Sequence, residues 1–158
     1  MDKKTDTKMD EKTNTKRLLI LSCSDKKREG IVKAIELYDG PAYHIVRNYL
    51  KQQPNNINIK ILSAKYGLID PNLVIPTYNQ KMTREKALEY VEKYKDIIKD
   101  LEQKYDDIFV YGGRYYKMTI KEAIKLNKIK SNKIKYSEGT IGKQLSQLKH
   151  WLYNTEQT

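Results

Sequence analysis

Short, continuous apolar runs alternate with longer stretches of helical spacing along the chain. Leu18-Leu19-Ile20-Leu21 is apolar at every position, as a strand covered on both faces requires, and it stops at the polar string Ser22-Cys23-Ser24-Asp25. From Ile31 to Tyr38 and again from Tyr43 to Leu50 the apolar residues recur at helical intervals. Asp39-Gly40-Pro41 separates them, glycine ending one predicted helix and proline opening the next. Ile57, Ile59, Ile61 and Leu62 predict a second strand ending at Ser63, and Ile108-Phe109-Val110-Tyr111 a third, closed by Gly112-Gly113.

Tyr66 to Met82 contains Gly67, Pro71 and Pro76 and holds no period, which predicts a long ordered loop of the kind that carries function inside a compact domain. Thr83 is placed to cap a helix whose apolar stripe is Ala87, Val91, Tyr94, Ile98, Leu101 and Tyr105. A helix from about Tyr115 to Asn127, a short strand centred on Ile134 and a helix from Ile141 to Tyr153 complete the pattern. This alternation predicts an α/β fold, a small and mainly parallel sheet flanked by helices, in a single domain over residues 17–154. Met1 to Lys16 reads MDKKTDTKMDEKTNTK, has no apolar side to dock, and is predicted to be a disordered tail. Ligands of such sheets bind outside the carboxyl ends of the strands. The loops Ser22 to Asp25, Ser63 to Asp70 and Gly112 to Arg114 are therefore expected to converge on one edge.

A length of 158 residues suits one domain with a real core. Lys and Arg outnumber Asp and Glu by 31 to 20, a net charge of +11 that favours polyanionic partners, DNA or RNA, although a lysine-rich composition alone gives the same excess. The single cysteine excludes an intrachain disulfide and a multi-cysteine metal site, and points to a reducing, cytoplasmic setting. No apolar stretch is long enough to span a membrane, and no membrane partner is expected. His44 and His150 stand far apart without ligand-type neighbours, so neither a metal nor another cofactor is called for.

Candidate chemistry gathers at the strand ends. Cys23 with Lys26 and Lys27 nearby fits a cation-stabilised thiolate, though a lone cysteine at a strand end is more often a small packed residue, while Ser24 offers a hydroxyl to a phosphate or a base edge. Ser63-Ala64-Lys65-Tyr66-Gly67 supplies a hydroxyl, an ammonium and a phenol directly after a strand. Asp70 adds a carboxylate for positioning water or a cationic sugar, though Asp70-Pro71 also reads as a plain turn. Gly112-Gly113-Arg114 lets backbone N–H groups face an anion beside a guanidinium, or simply starts a helix. Lys117, Lys121, Lys125 and Lys128 line one face at steps of four, four and three, and Lys130, Lys133 and Lys135 prolong the run. Such a stripe fits a nucleic-acid contact or a solvated face. The thirteen tyrosines provide stacking surfaces with polar tips.

The order Cys23-Ser24-x-Lys26, Glu36-Leu37-Tyr38-x-Gly40-x-x-Tyr43, Leu62-Ser63-Ala64-Lys65-Tyr66-Gly67-Leu68-Ile69, then Tyr78 and Met82, resembles the YaaA-like group, in particular its small single-domain branch. Tyr43, Ser63, Tyr66, Gly67, Tyr78 and Met82 match positions of the peroxide-stress branch, and Gly139-x-x-Gly142 leading to Trp151-Leu152 extends the likeness from about Leu18 to Leu152. The resemblance implies an α/β fold with a polar cleft, DNA affinity and a link to genome stress or phage–host conflict. It also implies ligand contacts from Tyr38, Tyr43 and Tyr78. The chain departs from that branch at Ala64-Lys65 and is shorter. The Cys-Ser-x-x-Lys loop is similar, over a few residues, to archaeal enzymes that process modified tRNA bases.

Together these readings lead to the expectation of a nucleic-acid-directed, glycosylase-like enzyme acting on a nucleobase or N-glycosidic bond. Ser24, Ser63, Lys65, Tyr66 and Asp70 would surround an extruded base. The alternatives are a non-catalytic DNA-binding stress protein that uses the lysine stripe and a small nucleotide-binding module.

Overall fold

The computed structural model describes residues 15–153. Five strands form the main sheet in the order β4-β3-β1-β6-β7. They are β1 (Arg17–Ser22), β3 (Asn58–Ser63), β4 (Gly67–Ile69), β6 (Asp107–Tyr111) and β7 (Ile134–Tyr136). The fold is a single α/β domain, parallel throughout except for β4, which turns back antiparallel along β3. β1 is central, with Leu18 to Leu21 all but sealed from solvent. The helices α2 (Pro41–Gln52), α3 (Arg84–Lys104), α4 (Arg114–Leu126) and α5 (Ile141–Tyr153) cover it. α2 packs beside α5 and α3 beside α4. Right-handed crossovers that run in opposite directions along the sheet, from β1 to β3 and from the β3–β4 side past β1 to β6 and on to β7, put α2 on one face and α3 and α4 on the other.

Two segments differ from the sequence reading. Ile31 to Tyr38 is not one helix: Ile31–Lys33 is a strand, β2, and only Ala34–Leu37 turns helical, as α1. The predicted loop from Tyr66 to Met82 holds β4 and a further strand, β5 (Val74–Pro76), which pairs antiparallel with β2 in a separate two-stranded ribbon. Val32 sits opposite Ile75 in that ribbon. Backbone pairing between distant segments thus overrides the helical spacing of Ile31 and Ile35.

Most of the predicted tail lies outside the described residues, as does Asn154 at the predicted end of the domain. Lys16 is tied in: its N–H donates to the Asp106 carboxylate at 3.0 Å and its carbonyl accepts from Asp106 N–H at 2.8 Å. Next to it the lower edge of the sheet is locked by Arg17. Its guanidinium lies 4.0 Å from the centre of the Trp151 ring, donates to the Trp151 carbonyl and approaches Asp107 at 3.8 Å. Trp151 stacks on Phe109 and donates its indole N–H to Asp107 at 3.1 Å. Trp151→Phe keeps the stacking but loses the donor and part of the cation attraction. The expected cost is about 1–2 kcal/mol in urea denaturation, with the m-value unchanged.

Candidate functional site

The ends of β1, β3 and β6 meet at one edge. Beyond β1, Cys23 N–H donates to Leu62 O at 3.0 Å and carries the parallel ladder one residue further. Its thiol faces inward, with Sγ 3.0 Å from the Tyr116 hydroxyl and 3.4 Å from the Ala64 N–H. β6 leaves beside it so closely that a Cβ on Gly112 would sit 2.7 Å from Ser22 Cβ, which explains a glycine there without any special backbone angle. Chain order reverses between β1 and β6, since β3 lies on one side of β1 and β6 on the other. This is the switch point at which open α/β sheets bind ligands.

At the end of β3 the buried Ser63 hydroxyl anchors a second cluster. Its Oγ accepts the N–H groups of Lys65 at 3.2 Å and Tyr66 at 3.0 Å and lies 2.8 Å from the Tyr78 hydroxyl. Tyr78 in turn lies 2.6 Å from the Tyr38 hydroxyl. The rings of Tyr66 and Tyr38 meet Tyr78 edge-on, with centroids 5.3 and 6.2 Å away. Two ammonium groups border the ring: Lys27 Nζ lies 4.5 Å and Lys65 Nζ 5.8 Å from its centroid. The turn between β3 and β4 is fixed from beneath, because the Ala64 carbonyl accepts from Tyr90 Oη at 3.0 Å and Gln80 Nε2 at 2.8 Å. Tyr43 donates to the Ser22 carbonyl at 2.8 Å and so ties α2 to the end of β1.

Burial governs the ionisation of these phenols. It raises Tyr38 and Tyr90 to about 12 and pushes Tyr43, Tyr78 and Tyr116 well above the ordinary phenol value. All five are neutral hydrogen-bonding groups at physiological pH.

A model of the family described as a family of unknown function, DUF6884, matches residues 18–150. The chain belongs to this family. No curated protein and no solved structure matches it.

The DUF6884 domain assembles some of the sequence-predicted site residues and leaves others apart. Cys23, Ser63, Tyr66, Tyr38, Tyr43 and Tyr78 belong to the core just described, and Gly67 opens β4 opposite Ser63. Ser24 closes a loop: its hydroxyl donates to the Lys26 carbonyl at 2.6 Å and accepts the Gly40 N–H at 3.2 Å. The exposed Lys26 side chain belongs to the same turn. Asp70 is carried away from Ser63, because β4 runs antiparallel to β3 with Ser63 opposite Gly67 and Ile61 opposite Ile69. Its carboxylate accepts the Asn72 N–H at 2.8 Å, the turn that Asp70-Pro71 also suggested. Arg114 is exposed and lies over Tyr115.

The lysine stripe divides in the same way. Lys117 is half-buried, donates to the Ser137 carbonyl at 2.5 Å, and is shifted down by desolvation and then by Lys121. Lys121 and Lys125 are exposed on α4. Lys128 falls beyond the helix with φ +56°. Lys133 and Lys135 are engaged by the Glu102 carbonyl and the Asp107 carboxylate, each at 3.0 Å.

Sequence reasoning named Lys27 only as a cation near Cys23 and missed Gln80, Tyr90, Tyr116 and Ser137 as site residues. Ser137 is fully buried past the end of β7, accepts the Gly112 N–H at 3.3 Å and bonds Gln144 at 2.8 Å. Only Tyr116 carried a signal, as the aromatic next to Gly112-Gly113-Arg114. Among the described residues no three His, Cys, Asp or Glu side chains gather to hold a metal, and no helix is long and apolar enough to cross a membrane. A groove of about 470 Å³ between α1 and α2 is lined by Arg28, Arg47 and His44. The Arg28 and Arg47 guanidinium groups and the His44 Nε2 turn to Asp39 at 3.5, 2.8 and 3.1 Å rather than to the strand ends.

Proposed function

We propose that this DUF6884 domain is a nucleic-acid-directed enzyme acting on a nucleobase or its N-glycosidic bond, with the base held over the ends of β1 and β3. The observation that carries this reading is the grouping at one strand end of the Tyr66 and Tyr78 rings, the Ser63–Tyr78–Tyr38 hydroxyls and the Lys27 and Lys65 ammonium groups. Aromatic faces stack on a base, the Tyr78 hydroxyl, positioned from behind by Ser63 and Tyr38, reads its edge, and ammonium groups hold flanking phosphates. The motif likeness to the YaaA-like group, with its DNA affinity, points the same way.

The geometry refines the roles. Ser63 has both acceptor sites taken by N–H groups, so it positions Tyr78 rather than attacking a substrate. Asp70 stands apart, and Ser24 is occupied by its own loop. Lys65, exposed at the rim, is the amine of this site closest to solvent and the residue to remove first.

The test is mass-spectrometric analysis of bases released from a panel of modified DNA and tRNA, run beside salt titrations of binding. Lys65→Ala is expected to abolish release while keeping most of the affinity. Lys121→Gln with Lys125→Gln should flatten the salt dependence by about one unit for each phosphate no longer neutralised. Polymer binding without release of any base would replace this reading with that of a non-catalytic nucleic-acid-binding protein.

A further inference from the structure

The hydrogens of the Ser63–Tyr78–Tyr38 cluster can be assigned by counting. A serine hydroxyl has one hydrogen and two acceptor sites. On Ser63 both acceptor sites are filled by the N–H groups of Lys65 and Tyr66, so its hydrogen goes to the remaining partner, the Tyr78 oxygen at 2.8 Å. Tyr38 is sealed from solvent, at 0% exposure, and a buried hydroxyl has to spend its hydrogen inside the protein. Of its two hydroxyl neighbours, Ser63 has no acceptor site left, so that hydrogen also goes to the Tyr78 oxygen, at 2.6 Å. Tyr78 therefore accepts twice, and its own hydrogen is left to point outward. Of the three residues it alone is partly open to solvent, so this assignment orphans nothing.

We infer that Tyr78 is a donor-only group that sets the specificity of the site, selecting ligands with a carbonyl oxygen over those with an amino group at the same position. The inference deepens the proposed function and rests on it: the base taken at these strand ends is a keto base. Lys27 and Lys65 border the Tyr78 ring and add two more donors without an acceptor. Two nearby acceptors are already used, the Ala64 carbonyl by Tyr90 and Gln80 and the Cys23 sulfur by the Ala64 N–H. An amino group brought to Tyr78 meets a hydrogen instead of a lone pair and leaves both donors unpaired, which costs far more than a missing hydrogen bond. Burial holds Tyr78 protonated well past physiological pH, so the preference persists across that range.

The test uses two ligand pairs that exchange a carbonyl for an amino group, together with the ring N–H beside it for a lone pair, inosine with adenosine and uridine with cytidine. In calorimetric titration of the wild type, the keto member of each pair is expected to bind about tenfold tighter or more. Tyr78→Phe should bring the members of each pair together. Tyr38→Phe frees one acceptor site on Tyr78, so it should raise the affinity of the amino members while keeping that of the keto members. Melting curves establish that each variant is folded. Equal binding within both pairs, or no binding of any member, would overturn the inference. Selective binding of keto nucleosides without release of any base from polymers would remove the enzymatic reading and keep the subsite. Release of amino and keto bases alike would do the reverse.

Discussion

Gly67→Ala is expected to destabilise the domain by about 2–5 kcal/mol, combining about 1–2 for a left-handed backbone carrying a side chain with about 1–3 for overpacking. Gly67 has φ +79°, and a Cβ built there would lie 1.9 Å from the Tyr94 hydroxyl and 2.8 Å from its ring carbon. Tyr94 cannot step aside easily, because it is buried on α3 against Tyr90, whose own hydroxyl holds the Ala64 carbonyl. The strain therefore enters the turn that presents Lys65 and Tyr66, and ligand binding should fall with stability. Gly142→Ala is the control: it lies on α5 with nothing within 4 Å of the added carbon and should change stability by less than about 1 kcal/mol. Tyr94→Phe in the Gly67→Ala background removes the nearest atom and should recover part of the loss. If chemical denaturation finds Gly67→Ala no weaker than Gly142→Ala, the turn adopts other backbone angles in solution.

The second large effect is expected on raising the pH. A tyrosine whose folded pKa lies above its unfolded value near 10 adds stability that is complete below that pH and is lost as the pH climbs through the folded value. Tyr38, Tyr90 and Tyr136 reach about 12, and Tyr43, Tyr78, Tyr111 and Tyr116 are raised as well, in every case chiefly by burial. For Tyr38 and Tyr90, which are almost wholly buried, the stabilisation removed is on the order of 2 kcal/mol each. With the others it becomes comparable to the ~5–15 kcal/mol that holds a domain together. The domain should hold its structure to about pH 10 and unfold cooperatively between about 10 and 12. Tyrosinate absorbance and circular dichroism should change together. Gradual ionisation of the same phenols with the circular dichroism unchanged would show that they are open to water.

The strand ends were legible because each follows an apolar run, unbroken before Ser22 and Gly112 and alternating before Ser63. Leu18 to Leu21 and Ile108 to Val110 fit only a doubly covered strand, so the residues after them had to share an edge. The ribbon of β2 and β5 was not legible. Ile31, Val32, Ile35 and Leu37 satisfy a helical period, and what makes Ile31–Lys33 extended is Val74–Pro76, far along the chain, where Pro76 at a ribbon edge hid a strand. Asp70 was misplaced for a related reason. A three-residue strand such as β4 leaves no periodicity, yet its reversal moves everything after Gly67 away from the site. Tyr90 and Tyr116 escaped notice because only packing decides whether the polar tip of a helical tyrosine faces solvent or a strand end.

β1 lies at the centre of the sheet, but its neighbours come much later in the chain: the partners Lys16 and Asp106 are ninety residues apart. During synthesis at about 5–20 residues per second, the first strand waits roughly 5–20 s for its second edge to be covered. Until then the Leu18 to Leu21 run is an open, sticky template. The parallel pairing that later brings Ser22 against Gly112 is thus expected to form late, after α2 and β3 have collapsed on β1.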